Sequence, residues 1–344
     1  MRAAVFHQAG QPLVIEQIDE PRPSPHDLIL KVRACGICGS DLHMTEPGSV
    51  LGLPSGAVMG HEFCGEVVEA GSAVRAEWST GTAVVGFPYL CCGEQTPCPN
   101  LTLGLGSGAC ARGAGIGLGQ RHGAYAEYVR ISANAAFRLP GGMSYRAGAL
   151  VEPLAVGLHA VDMAKLDRDA VVLVVGAGPV GLAVIMWARF LGIRHVLVSE
   201  RAAVRRQMAA RFGASDALNP DEPLAGQVER LTGRGPDVIF ECVGAPGMIA
   251  QTMAEAPRGG RIVVAGVCQQ PDTIFPLAGI AKELNLQFVL GYRPADFDYV
   301  IAMLGSGRID GESMITDTID LDSLPVAFEA LRKPSGQCKV MVVS

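Results

Sequence analysis

Three residues whose types suit a metal ion precede, along the chain, a loop whose glycines suit a nucleotide. Cys38 lies in Cys38-Gly39-Ser40-Asp41-Leu42-His43 and His61 in Gly60-His61-Glu62. A further carboxylate, Glu152, stands in Val151-Glu152-Pro153. Thiolate, imidazole and carboxylate together suit zinc, and a catalytic zinc keeps one of its four positions open for water or substrate. Farther on, Gly176-Ala177-Gly178-Pro179-Val180-Gly181 follows directly on the apolar run from Val171 to Val175. The first glycine permits the turn, the second lets the backbone approach a pyrophosphate, and the third lets helix pack closely on strand. One region can hold a Lewis-acid metal, the other a dinucleotide.

Three glycines at that spacing are a weak signal in isolation. Here they follow an expected strand and open an expected helix, Val180 to Leu191, which is the context that the motif requires. A helix N-terminus offers free N–H groups and the positive end of a dipole to an anion. Pro179 and Val180 line that turn. Glu200 ends the next strand, 19 residues beyond Gly181. An acidic residue there accepts the ribose hydroxyl hydrogens and repels a 2′-phosphate, so NAD is expected rather than NADP. Arg201, Arg205 and Arg206 follow closely enough to meet a phosphate, although the solvated face of the next helix accounts for them better.

The elements that must position these residues fall into two textures. The first 150 residues read as short strands separated by Gly and Pro turns, among them Asp27 to Ala34, Gly65 to Gly71 and Ala83 to Gly86. That spacing suggests a β-barrel-type domain. Near Ala155 the texture changes. Val171 to Val175 is β-branched apart from one Leu, as expected of a strand covered on both faces. Strands at His195 to Ser199, Asp237 to Cys242 and Arg261 to Gly266 alternate with helices such as Ala203 to Phe212, so a parallel, doubly wound sheet is expected. From about Gly291 helices at Asp296 to Leu304 and Leu324 to Leu331 lead to a closing strand, Lys339 to Val343.

Bulk properties narrow the function classes. A length of 344 residues favours two domains over one. A net charge of −6 leaves no basic surplus for phosphate backbones, so nucleic acid is not an expected partner. No segment approaches the ~18 uninterrupted apolar residues of a spanning helix, and the first residues lack a signal peptide's apolar stretch and cleavage site. A cytoplasmic protein without a membrane partner is expected. Its cysteines are then thiols or metal ligands rather than disulfides. Cys64, Cys242, Cys268 and Cys338 lie in apolar, strand-like surroundings and are expected to be structural. Cys35-x-x-Cys38 falls outside a βαβ unit, so Cys35 is expected to be buried rather than redox-active.

The chain resembles the zinc-dependent medium-chain dehydrogenase family, which includes alcohol, sorbitol and threonine dehydrogenases. The resemblance rests on Gly36-Ile37-Cys38-Gly39-Ser40-Asp41-Leu42-His43, Gly60-His61-Glu62-Phe63, Gly65-Glu66-Val67-Val68, Val151-Glu152-Pro153-Leu154-Ala155-Val156-Gly157 and the glycine loop, matched in that order. It implies an α/β protein with a GroES-like β-barrel-type catalytic domain, residues 1–153 and 291–344, split in sequence around a Rossmann dinucleotide-binding domain, residues 154–290. It implies Cys38 and His61 as ligands of a catalytic zinc. No cysteine lies between Cys110 and Cys242, so the third ligand is expected to be a carboxylate, as in the polyol-dehydrogenase branch. Glu152 is the first choice. Glu62 is the alternative, either exchanging with Glu152 or acting as an outer carboxylate that orients the site.

The resemblance also implies a proton relay through Ser40 and His43, with Asp41 orienting the loop or a ligand. The expected reaction moves a hydride between a secondary alcohol or polyol/diol and NAD. Its rivals are a zinc-free NADPH-dependent reductase of the same superfamily, which would lack the ligand set, and a non-enzymatic NAD(H)-binding protein. Leu51, Leu53 and Phe87 are expected to line the alcohol or ketone pocket. A homotetramer is expected, with a dimer as runner-up, and the edge strand leading to Lys282-Glu283-Leu284 is expected to pair between subunits. Many relatives hold a second, structural zinc on four close cysteines. Cys91, Cys92, Cys98 and Cys110 lack the short gaps of such a site, so one zinc per subunit is expected.

Overall fold

The computed structural model describes residues 1–90, 114–333 and 336–344. The lobe carrying Cys91, Cys92, Cys98 and Cys110 lies outside them. The chain divides into two compact units, one of Met1–Ala155 with Tyr292–Ser344, the other of Val156–Gly291.

In the first unit the strand Asp27–Gly36 is central. It is buried along almost its whole length, only Lys31 and Arg33 being partly exposed, as a central strand covered by neighbours on both faces would be. It pairs antiparallel with Glu62–Ala70, Tyr128–Ser132 and Lys339–Val343. The sheet continues through Ala83–Gly86 to Ala136–Arg138 on one side and through Ile315–Ile319 on the other. A smaller sheet joins Val14–Gln17, Arg2–Phe6 and Ala57–Val58. Phe63, Tyr125, Ile131 and Phe328 fill the core between them. The register sets Gly36 opposite Glu62 on one neighbouring strand and Met341 on the other, which brings the end of Asp27–Gly36 beside the start of Glu62–Ala70.

The second unit carries six parallel strands among the described residues, in the spatial order Asp216–Leu218, His195–Ser199, Val171–Val175, Val238–Glu241, Arg261–Val264, Asn285–Phe288. All five residues of Val171–Val175 are buried, because helices cover both faces of a parallel sheet. Strand order reverses between Val171–Val175 and Val238–Glu241, and in open α/β sheets ligands bind outside the carboxyl ends of the strands at that place.

Most expected elements are present with shifted ends. The helix after the glycine loop runs Pro179–Phe190, the next Ala203–Arg211, and the later ones Pro294–Gly305 and Leu324–Ala330. The edge strand differs. Pro276–Lys282, leading to the expected Lys282-Glu283-Leu284, is a helix with proline in its first turn, where no N–H is missed. Glu283 closes it in the left-handed conformation (φ 52°), and the strand follows at Asn285–Phe288. Cys268 is not strand-like either: it lies in the loop beyond Arg261–Val264, half-buried. Cys35, Cys64 and Cys338 are buried as expected.

Candidate active site

The metal-suited residues stand on the strand ends just described. Cys38 precedes the short helix Gly39–Met44 in extended conformation. His61 and Glu62 open the strand Glu62–Ala70. One donor atom from each of Cys38, His61 and Glu62 falls within 4.8 Å of the others. Glu152, first choice from sequence for the third ligand, lies outside that set, and Glu62, the alternative, lies inside it. Glu152 begins the helix Val151–Ala164 and is 7% exposed. It accepts a hydrogen bond from Tyr292 and lies in the fields of His61, Glu62 and Lys339. Burial pushes its carboxyl up to about 7, against the opposing pull of His61. A divalent cation would reverse that balance, since a nearby positive charge favours the ionised form.

Asp41 organises Cys38 and His61. It is fully buried on the helix Gly39–Met44. Its Oδ2 accepts from the Cys38 N–H (3.1 Å) and the Tyr125 hydroxyl (2.6 Å). Its Oδ1 stands 3.2 Å from His61 Nδ1, at an angle that leaves both atoms without a hydrogen bond. Nδ1 therefore faces a carboxylate, and Nε2 is the nitrogen left for a metal, the usual carboxylate–histidine–metal arrangement. Burial disfavours the imidazolium, but Asp41 and Cys38 outweigh it and hold His61 well above the ordinary imidazole range. With Nδ1 taken up by Asp41 and the surroundings favouring positive charge, Nε2 is free to hold a cation. The soft sulfur, the nitrogen and the nearby carboxylates fit zinc in particular.

Ser40 and His43 share the helix with Asp41. Ser40 Oγ lies 3.5 Å from His61 Nε2, on the metal side of the ring. His43 is 43% exposed, with Nδ1 3.4 Å from Glu46 Oε1, so it stands towards solvent. Of the expected pocket residues, Phe87 is buried against Tyr292 and Phe297, whereas Leu51 is half-exposed.

Sequence reasoning missed three site residues, Lys339, Tyr125 and Tyr292. Lys339 Nζ donates to both oxygens of Glu62, and both side chains are 1% exposed. The signal was a lysine heading the apolar run Lys339-Val340-Met341-Val342-Val343, where an inward charge needs a partner. Burial lowers its tendency to hold a proton, Glu62 more than restores it, and the net direction is upward.

In the second unit the glycine loop has the geometry its spacing implies. Gly176 has φ 97°, in the left-handed region that favours glycine. A Cβ on Gly181 would lie 2.0 Å from the Gly176 carbonyl oxygen, whereas one on Gly178 would meet nothing within 4 Å. That open space beside the uncapped N-terminus of Pro179–Phe190 fits a pyrophosphate. Pro179 and Val180 form the first turn. Glu200 follows the strand His195–Ser199 and accepts from the N–H groups of Ala177 (2.9 Å) and Ala202 (2.8 Å). Arg201 is exposed, and its carbonyl, like that of Glu200, accepts from Arg206.

Comparison with known proteins agrees with both halves. Residues 24–141 match the alcohol dehydrogenase GroES-like domain family, and residues 179–306 the zinc-binding dehydrogenase family. The chain belongs to the zinc-dependent medium-chain dehydrogenase family, and it is a dehydrogenase with a GroES-like domain and a Rossmann-type parallel sheet. The family carries a catalytic zinc and a nicotinamide cofactor. The chain is 34% identical to (R,R)-butanediol dehydrogenase of Bacillus subtilis (strain 168), covering 99% of each chain, and 29% identical to sorbitol dehydrogenase of the same organism, over 99% of this chain and 97% of that one. A zinc-binding dehydrogenase structure from Sinorhizobium meliloti 1021, bound to NADP, superposes with a TM-score of 0.85 at 32% identity, over 100% of this chain and 99% of that one.

Proposed function

We propose that this chain oxidises vicinal diols or polyols to hydroxy ketones, and reduces them in return, with zinc as Lewis acid and NAD as hydride acceptor. The observation that carries this reading is the convergence of Cys38, His61 and Glu62 donor atoms within 4.8 Å, with Glu152 beside them. Likeness to butanediol and sorbitol dehydrogenases supports the substrate class.

When bound, zinc lowers the pKa of an alcohol hydroxyl and the nicotinamide accepts the hydride. The chain's residues do the rest. Cys38, His61 and one carboxylate, Glu152 or Glu62, would hold the ion. Asp41 orients His61 and the Cys38 backbone. Ser40 Oγ, near His61 Nε2, would accept the hydroxyl proton while passing its own proton on towards half-exposed His43, which would release it to solvent. In the other unit Gly176, Gly178 and Gly181 shape the pyrophosphate turn, and Glu200 receives the ribose hydroxyls. Oxidation of a panel of diols, polyols and simple secondary alcohols with NAD, beside elemental analysis, tests the reading. Full activity in a metal-free preparation would sink it, and a zinc ratio near one per chain is expected.

Cofactor choice has its own test. Glu200→Ala is expected to weaken NAD binding and to relieve exclusion of NADP. A wild-type protein that prefers NADP by a wide margin would reverse the assignment and make the arginines after Glu200 decisive.

The proposal includes a homotetramer built from dimers. Phe275 (68%), Ile280 (70%), Phe288 (63%) and Leu290 (70%) are exposed on and beside the edge strand Asn285–Phe288. Pairing two such edges hides apolar surface and satisfies open backbone groups. Light scattering at micromolar concentration is expected to find no monomer. The described cysteines are all free thiols, which suits the cytoplasm, and no described helix is long and apolar enough to cross a membrane.

A further inference from the structure

Glu62 is gripped by a residue far along the chain. Lys339 Nζ donates to Glu62 Oε1 at 2.7 Å and Oε2 at 2.6 Å, and to the Ile37 carbonyl at 3.1 Å. Room for this grip comes from Gly36, which the register places opposite Glu62. A Cβ there would stand 2.1 Å from Glu62 Oε2 and 3.2 Å from Lys339 Cδ.

A buried ion pair of this kind is weak evidence of a stabilising role, because desolvating both charges offsets their attraction. Its geometry suggests another task. Glu62 stands close enough to Cys38 and His61 to share an ion with them. A lysine that holds both its oxygens opposes that step, since an oxygen must turn from the ammonium before it can coordinate. Four ligands complete a zinc shell, and catalysis needs one position left open. With Cys38, His61 and Glu152 on the metal, a free Glu62 would fill the last.

We infer that Lys339 is a positioning residue that holds Glu62 back from the metal and so keeps the fourth position open to water or substrate. The inference rests on the reading that Cys38, His61 and Glu152, rather than Glu62, bind zinc. The third bond, to Ile37, ties the same ammonium to the backbone one residue before Cys38, so the lysine fixes Glu62 relative to the thiolate rather than merely neutralising it.

The test uses the zinc-loaded protein and its cobalt-substituted form. Transfer of zinc to a chromogenic chelator is timed, and the visible cobalt bands are recorded. Lys339→Met is expected to slow zinc loss by about tenfold or more, the size of effect that outer partners have on metal affinity. Its cobalt bands are expected to shift as a carboxylate takes the fourth position from water, and to stop responding to added alcohol. Both changes are expected to vanish in a Glu62Gln background, because the lysine acts through that carboxylate. Circular dichroism checks folding. If Lys339→Met does not fold, Gly36→Ala replaces it, since the added methyl evicts the carboxylate while keeping the lysine, and the same slowing is expected. Zinc loss at the wild-type rate or faster, or a slowing that persists with Glu62Gln, overturns the inference. A wild-type protein that holds no zinc overturns the metal reading itself.

Discussion

Cys38→Ser is expected to strip zinc from the protein and to lower kcat/KM for diol oxidation by about 10³-fold or more while leaving the fold intact. A Lewis acid at the reacting oxygen contributes several kcal/mol to the barrier, and each ~1.4 kcal/mol is a factor of ten. The stability half of the expectation comes from position. Cys38 is only half-buried and precedes the helix Gly39–Met44 as its N-cap, where serine is among the preferred residues. Metal and fold can therefore be separated at this one site. Elemental analysis and thermal unfolding of the same preparation read the two effects. Zinc retained in Cys38→Ser at the wild-type ratio would remove the thiolate from the ligand set.

Gly181→Ala is expected to weaken NAD binding by about 10–100-fold, the equivalent of the ~1–3 kcal/mol that forced backbone shifts cost in packed sites. The new methyl would lie 2.0 Å from the Gly176 carbonyl oxygen, and that neighbour is backbone, which can yield only by opening the turn. Helix propensity alone predicts the opposite sign, because alanine is about 1 kcal/mol better than glycine inside a helix. Gly178→Ala is the control, for no protein atom lies within 4 Å of its added methyl. A fold unaffected by Gly178→Ala with affinity lost means that the empty space belongs to the ligand. Wild-type affinity in Gly181→Ala would refute the role of the loop. Titration calorimetry with NAD measures each case.

Both units were legible in the sequence where local pattern decides structure. Val171–Val175 announced a covered strand, and the glycines announced a tight turn into a helix, because those constraints act within a dozen residues. Cys38, His61 and the two glutamates were legible as chemistry, since few other arrangements place such donors in that order. Which glutamate stands inside the ligand set was not, because it depends on the pairing of Gly36 with Glu62 and on how the helix Val151–Ala164 begins. Tyr125 and Tyr292 were invisible for the same reason: they reach the site through packing between segments remote in sequence, and Lys339 announced only an inward charge, not its partner. The edge strand was misplaced because Pro276 starts a short helix in a stretch whose composition reads equally well as loop or strand.

The 277 residues that separate Lys339 from Glu62 have a consequence for synthesis on the ribosome. The unit Val156–Gly291 is one unbroken stretch and can collapse as soon as it emerges, as domains made in order generally do. The unit that holds the metal ligands cannot. Its central strand Asp27–Gly36 leaves the ribosome early and waits for Lys339–Val343 to take its place alongside. Through that interval Cys38, His61 and Glu62 are already made while their clamp is not. On the proposed ligand set, an ion captured then would meet an unrestrained Glu62, so its coordination would be completed only once Lys339–Val343 docks.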